Sequence, residues 1–267
     1  MIIMKLIINQ RECTACGLCK RVCIRNNIEV NDFAEEVGTD YCFECGHCMA
    51  VCPNGLISLK KFNNQKDRIE EYNPKSLPVS YEDMLQFFKQ RRSCRWFKNK
   101  KIDKNTFEKL FEAAYYSPSG ENMQKTEFVV IDEKLDEFIS LVYDIIKVKS
   151  EEYPRIKQLG EYLENKDNFK AHPLLWEGKQ IILSFAENTS DALIAATRME
   201  LLAYTMKLGG FYSLFIGSSD KIDHDKLMKF FPEIDNEKHM CSAFVIGYPR
   251  VRFNRTIPHN KVNVFYK

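Results

Sequence analysis

The stretch DKNTFEKLFEAAYYSPSG places apolar residues at Phe107, Leu110, Phe111, Ala114 and Tyr115. This spacing of i, i+3, i+4, i+7 and i+8 predicts a helix with one buried face, ended by Pro118 and Gly120. LDEFISLVYDII and HDKLMKFFP predict further helices. SDALIAATRMELLAYTMKLGG predicts a long one, with Ala192, Ala195, Ala196 and Ala203 as core and a stop at Gly209–Gly210. Continuous apolar runs predict buried strands at EFVVID (127–132), QIILSFA (180–186), FYSLFIG (211–217) and CSAFVIGYP (241–249). This alternation predicts an α+β fold whose central mixed sheet is flanked by helices on both faces.

The first sixty residues follow another rhythm. Only short apolar runs occur there, MKLIIN, NIEVN and GLISL, each long enough for a small strand. KKFNNQKDRIEEYNPKSLPVSYED, residues 60–83, is polar and holds Pro74 and Pro78, so it reads as a linker. The expected organisation is a small domain over 1–62, a linker over 63–80 and a larger domain over 81–267.

Cysteine usage gives the small domain its chemistry. Of ten cysteines, all but Cys94 and Cys241 lie between Cys13 and Cys52. They form CTACGLCKRVC and CFECGHCMAVCP, two C-x2-C-x2-C-x3-C runs 29 residues apart, position for position. A [4Fe–4S] cube needs four thiolates, and in this spacing the fourth cysteine of each run serves the other cube. One cluster is expected on Cys13, Cys16, Cys19 and Cys52, the other on Cys42, Cys45, Cys48 and Cys23. Tetrahedral zinc would not require the third and fourth cysteine of each run. His47 lies inside the second loop, where four cysteines already suffice. Gly17 and Gly46 take matching places where a side chain would crowd the loop.

Residues 1–62 resemble the bacterial two-[4Fe–4S] ferredoxins. Cys52–Pro53 keeps that family's Cys-Pro, while Ile24 follows Cys23. The resemblance implies one-electron transfer at low potential.

Lys and Arg number 39 against 37 Asp and Glu. That balance argues against a general polyanion binder, although RRSCRWFKNKK is locally basic with an aromatic pair. No nucleic-acid partner is expected. No apolar run reaches the roughly 18 residues of a membrane span, and the N-terminal residues lack the features of a signal peptide. The expected location is cytoplasmic, with no membrane partner. His172, His224, His239 and His259 are scattered, and no Ser-His-Asp or paired-carboxylate site stands out, so no catalytic side chain is expected.

Three separated stretches share a different logic: RRSCRWF (91–97), SPSGENMQ (117–124) and GYPRVRFNRTIP (247–258). Guanidinium groups and hydroxyls suit a phosphate. Amides such as Asn122 and Gln124 suit the edge of a flat heterocycle. In this order the stretches resemble the FMN-dependent nitroreductase family, over roughly residues 80–260. The resemblance implies that Arg91, Arg92, Ser93 and Arg95 hold the FMN phosphate, ribityl chain and pyrimidine edge. It implies that Ser117, Pro118, Ser119, Asn122 and Gln124 contact the ring. Gly210 to Gly217 would correspond to a glycine-rich turn and strand, with Ile216 and Gly217 near the flavin N5 edge. Arg252 and Arg255 would be phosphate candidates. Trp96 is expected to pack, and Cys94 to fill space.

The family is a homodimer with FMN at the interface. It commonly takes NAD(P)H as donor and reduces nitroaromatic, quinone or activated-alkene acceptors. Fusion to a ferredoxin resembles an architecture found mainly in anaerobes, which implies an electron-donor protein, a ferredoxin or reductase, beside or in place of NAD(P)H. The alternative expectation is an electron-transfer or redox-sensing module that acts on a protein partner.

Overall fold

The two cysteine runs fold alike because their backbones need the same turns. In the computed structural model, which describes residues 4–38, 42–65, 69–73, 75–76 and 78–267, Gly17 and Gly46 adopt φ of 74° and 75° and open helices α1 (Leu18–Val22) and α2 (His47–Val51). A Cβ would strain this left-handed conformation. Ala15 and Glu44, also 29 residues apart, share it at φ 52° and 48°. Asn26 and Gly55 form a third such pair. Strand β1 (Leu6–Ile8) pairs antiparallel with β4 (Ile57–Leu59), and β2 (Ile28–Val30) with β3 (Ala34–Glu36). The Glu36 carboxylate accepts the N–H groups of Lys5 (2.9 Å) and Leu6 (2.8 Å), satisfying donors at the start of β1. Leu6, Cys19, Ile28, Ala34, Ile57 and Leu59 are the buried core of this unit.

The chain divides into two compact units, Met1–Pro78 with Gly120–Met123, and Val79–Ser119 with Gln124–Lys267. Part of the expected linker, including Pro74, lies outside the described residues. Within its span, Ser80 Oγ accepts from Asp83 N–H (3.1 Å) and caps α3 (Tyr81–Gln90), a helix the sequence pattern does not predict.

The second unit is built on β5 (Glu127–Ile131), β6 (Gln180–Ala186), β7 (Gly209–Tyr212) and β8 (His239–Gly247), in the order β5-β6-β8-β7. All three pairings are antiparallel, where a mixed sheet was expected. The helical crossovers here return each strand beside a neighbour of opposite direction. Strand residues alternate between two faces. Ile181, Leu183, Phe185, Ala243 and Val245 meet α5 (Leu135–Ile146), α6 (Pro154–Glu164) and α8 (Leu214–Ile222) on one face. Ile182, Phe244 and Ile246 meet α4 (Lys104–Tyr115) and α7 (Thr189–Thr205) on the other. Covered on both sides, β6 is buried at every position, which explains its continuous apolar run. Ala192, Ala195, Ala196 and Ala203 of α7 are core, as expected.

Two expectations about 205–222 are corrected. The long helix stops at Thr205, and Gly209–Gly210 open a strand. FYSLFIG is not one strand: β7 ends at Tyr212, and Ser213 caps α8 with its side chain. Gly210 is needed where it stands. A Cβ there would lie 2.2 Å from Val245 O and 2.6 Å from Phe244 Cζ.

Gly210→Ala is therefore expected to lower unfolding stability by about 1–3 kcal/mol, the usual range for overpacking, measured by denaturant titration of the cluster-loaded protein. A second expectation concerns His172, which precedes β6. Its Nδ1 accepts N–H bonds from Leu174 (3.0 Å) and Leu175 (3.1 Å), and burial pushes its pKa down to about 4. Protonation would destroy both bonds. Because the unfolded chain takes up this proton first, the contribution is complete above pH ~6.5 and is lost as pH falls toward 4, on the order of 2–3 kcal/mol. The stability of the wild type relative to His172→Asn should fall by that amount across this window. A pH-independent difference would contradict it.

Candidate functional site

In the N-terminal unit the thiols gather into two pockets. Cys13, Cys16, Cys19 and Cys52 line the first. Cys23, Cys42, Cys45 and Cys48 line the second. Each set combines three cysteines of one run with the last cysteine of the other. Backbone N–H groups aim at the sulfurs: Asn27 N at Cys23 Sγ (3.3 Å), Leu56 N at Cys52 Sγ (3.4 Å) and Ala34 N at Cys13 Sγ (3.4 Å). The first two of these bonds are repeat-related, again 29 residues apart. Burial pushes the Cys48 thiol up to about 11 and raises Cys19 and Cys42. Thiolates at these positions therefore require a compensating cation, and ligation releases protons. Four thiols facing one mostly apolar space fit an iron–sulfur cluster. His47 borders the second pocket on its exposed side.

In the C-terminal unit the RRSCRWF segment is threaded between two neighbours. Cys94 N–H donates to Gly210 O (2.9 Å) on β7. On the other side Lys98 N–H donates to Tyr248 O (2.7 Å), and Arg250 N–H to Trp96 O (2.9 Å). Arg250 Nε adds a bond to Phe97 O (2.7 Å). The fold thus brings the first motif together with the start of the third. Cys94 is buried and its thiol is pushed up by burial, as suits a space filler. Trp96 does not pack as expected: it is 50% exposed, and Phe97 beside it is the buried aromatic. The segment turns Phe97, not Trp96, into the core cluster.

The arginines have unlike surroundings. Arg91 Nη1 pairs with Glu200 Oε1 at 3.0 Å. Burial raises the Glu200 pKa, while Arg91 offsets part of that rise. Arg95 is exposed and sits 5.1 Å from the Phe211 ring centroid. Ser93 is exposed between them. Arg92 Nη1 donates to Arg91 O (2.9 Å), but its Nη2 is buried and has no hydrogen-bond partner among the described residues. A guanidinium nitrogen in that state is costly unless an acceptor reaches it. Such an orphan donor, in a segment with three arginines, fits a bound anion.

The other expected contacts are only partly gathered. Ser119 Oγ accepts from Gln124 N–H (3.0 Å), and Ser117 Oγ donates to Ala113 O, both in the loop that carries Pro118. Glu121, Asn122 and Gln124 all adopt positive φ, which for residues with side chains stores local strain. Asn122 belongs to the N-terminal unit, where its Nδ2 donates to Phe43 O (3.3 Å) and Glu44 O (3.2 Å). Ile216 and Gly217 lie in α8, and their N–H groups donate to Ser213 Oγ (3.5 Å) and O (3.0 Å). Arg252 and Arg255 are exposed in the irregular segment after β8. The sequence pattern did not single out Glu200, whose signal would have been an acidic residue beside the apolar Met199, Leu201 and Leu202 of α7.

Comparison with known proteins agrees with both halves. Residues 88–248 match the family model for the nitroreductase family, and residues 5–69 match that of a 4Fe-4S dicluster domain. Among solved structures, a nitroreductase with bound FMN from Desulfitobacterium hafniense is similar at TM-score 0.53 and 16% identity, over 70% of this chain and all of that one. Another with bound FMN, from Bacteroides fragilis, is similar at TM-score 0.52 and 15% identity, over 69% of this chain and 99% of that one. At those identities the likeness is one of fold. A component of the ion-translocating oxidoreductase complex of Methanosarcina acetivorans is 35% identical over 48 residues, 18% of each chain. This chain thus spans under a fifth of that relative's length. No helix among the described residues is long and apolar enough to cross a membrane. With more than half of its length matching the family model, the chain belongs to the nitroreductase family, an oxidoreductase that carries an N-terminal 4Fe-4S dicluster domain.

Proposed function

We propose that the protein is an FMN-dependent oxidoreductase that reduces a small organic acceptor, a nitroaromatic, quinone or activated alkene. It would draw electrons from a donor protein by way of two [4Fe–4S] clusters, from NAD(P)H, or from both. The observation that carries the flavin reading is the buried, unpartnered Arg92 Nη2 beside Arg91, Ser93 and Arg95. FMN, when bound, supplies both one- and two-electron chemistry, and the clusters single-electron steps.

The chain's own part is positioning. Arg92, partly exposed as a whole, would offer a phosphate its buried and unpartnered Nη2 donor. Ser93 and Arg95 offer further donors from the same exposed edge. Arg91, held by Glu200, fixes the backbone carbonyl that orients Arg92. Ser117, Pro118, Ser119, Asn122 and Gln124 are assigned to contact with the ring, with the Asn122 and Gln124 amides fit for its edge. Ile216 and Gly217 are assigned to the N5 edge, and Arg252 and Arg255 to the phosphate, on the resemblance alone. The cluster sets are Cys13, Cys16, Cys19 and Cys52, and Cys42, Cys45, Cys48 and Cys23. The domain limits follow the composition, 1–62 and 81–267, with 63–80 as linker. The location is cytoplasmic, and the assembly is a homodimer. In support of the dimer, the segment after β8 exposes Phe253, Ile257, Val262, Phe265 and Tyr266, an apolar set that a second copy would cover.

A second reading, an electron-transfer module acting on a protein partner, draws on the 48-residue similarity to the oxidoreductase-complex component. Turnover separates the two. Anaerobically purified protein should show a flavin band that NAD(P)H, or a reduced carrier, bleaches and that a nitroaromatic or quinone restores. Flavin that is reduced but never reoxidised by small acceptors would favour the module. No flavin after reconstitution would overturn the enzyme reading. Arg92→Ala should weaken FMN retention about 10- to 100-fold, the scale of one charge-assisted bond in a buried setting, with cluster absorbance unchanged. Full FMN retention in that variant would remove Arg92 from the site.

A further inference from the structure

We propose that Asp220, His224 and His239 form a divalent metal site of the zinc class in the C-terminal unit. None of the three lies on a cysteine run or on the arginine, 117–124 or 247–258 stretches. Asp220 is near the end of α8, His224 opens α9 (His224–Met228) one helical turn later, and His239 opens β8. Their ligand atoms lie within 4.8 Å of one another.

The carboxylate is built in. Asp220 is 5% exposed. Its Oδ1 faces His224 Nδ1 at 2.8 Å and accepts Met240 N–H at 3.2 Å, and its Oδ2 faces His239 Nδ1 at 2.9 Å. The second nitrogen of His224, Nε2, faces the Asn236 carbonyl at 2.8 Å. Both neighbours of this ring are oxygens that only accept. A neutral imidazole has a single N–H and would turn one lone pair against an oxygen. A positive charge at this ring removes the conflict, either a second proton or a metal ion on the Nδ1 side, and a zinc-binding measurement separates the two. With a metal there, the remaining Nε2–H donates to Asn236 O, the outer bond that metal-ligating histidines ordinarily make.

Two imidazoles and one carboxylate with a free fourth position are a zinc donor set. At metal–ligand distances of about 2.0–2.2 Å, tetrahedral ligands stand about 3.3 Å apart. The present 2.8 and 2.9 Å would have to open by about half an ångström. His239, whose side chain is 57% exposed, can supply the movement at the 2.9 Å contact. The 2.8 Å contact opens by a shift of the His224 ring, 21% exposed, against the 4% exposed Asp220. The exposure of His239 gives an ion a way in and leaves room for water. The bound ion would tie the ends of α8 and α9 to the first residue of β8.

The test uses full-length, cluster-loaded protein with iron and sulfide content verified, so that no cysteine set is free to take zinc. Equilibrium dialysis against ZnCl2 with elemental analysis compares wild type, His239→Gln and Asp220→Asn. His239→Gln keeps an N–H donor for Asp220 but offers no imidazole, and it changes an exposed side chain. Wild type should hold one Zn2+ per chain, bound at least tenfold more tightly than in His239→Gln. Zinc should raise the thermal midpoint of the wild type alone. Equal zinc binding by wild type and His239→Gln, or none by either, would overturn the site and leave a hydrogen-bonded Asp-His cluster. The Asp220→Asn result then serves as a check, since loss there without loss in His239→Gln also counts against the proposal.

Discussion

Backbone pairing along β8 is what the C-terminal unit depends on. The strand bonds to β6 on one edge and β7 on the other, and the residues just beyond it continue the ladder by bracketing Trp96 and Lys98. Cys94 is fastened to β7 in turn. The arginine segment is therefore an outlying part of the sheet and not a free loop. A guanidinium carried on backbone held in this way would lose less freedom on taking up an anion than one on a free loop. The apolar layers above and below β6 and β8 keep this ladder dry, and a dry ladder is strong.

The N-terminal unit obeys a different constraint. Among the described residues, six buried ones form its core, a small core to hold such a chain by burial alone. Eight thiols, several held protonated by burial, stand in two pockets around that core. Where a cluster is bound at such thiols, folding and metal loading couple, since ligation removes thiol protons and ties the loops together. The left-handed residues at equivalent positions show how strictly the backbone is prescribed around each pocket.

Much of this was legible in the chain alone. Helix α4 announced itself by period, and β6 by an unbroken apolar run. The cysteine spacing pointed to two separate sets. Errors arose where one composition serves two conformations. FYSLFIG is apolar enough for a strand, yet Ser213 in its middle is a good cap, and a helix follows. Helix α3 was lost inside a polar stretch because its cap, Ser80, and its acidic first turn look like linker. Trp96 and Phe97 could not be ranked by pattern, since the segment crosses the sheet edge with neither helical nor strand period. The orphaned Nη2 of Arg92 and the meeting of His224 with His239 through Asp220 are products of tertiary placement. No local signal carries them.

The two cysteine pockets repeat their backbone but not their charges. Ala15 stands where Glu44 stands in the other copy, and Glu44 pairs with Lys5 and Lys61. Arg25 and His47 also border the second pocket, whereas uncharged residues line the first. Charge and hydrogen bonding near a cluster set its potential. A duplicated scaffold decorated unevenly would, with clusters in both seats, hold an electron with different strength at each, which would give a symmetrical fold a direction.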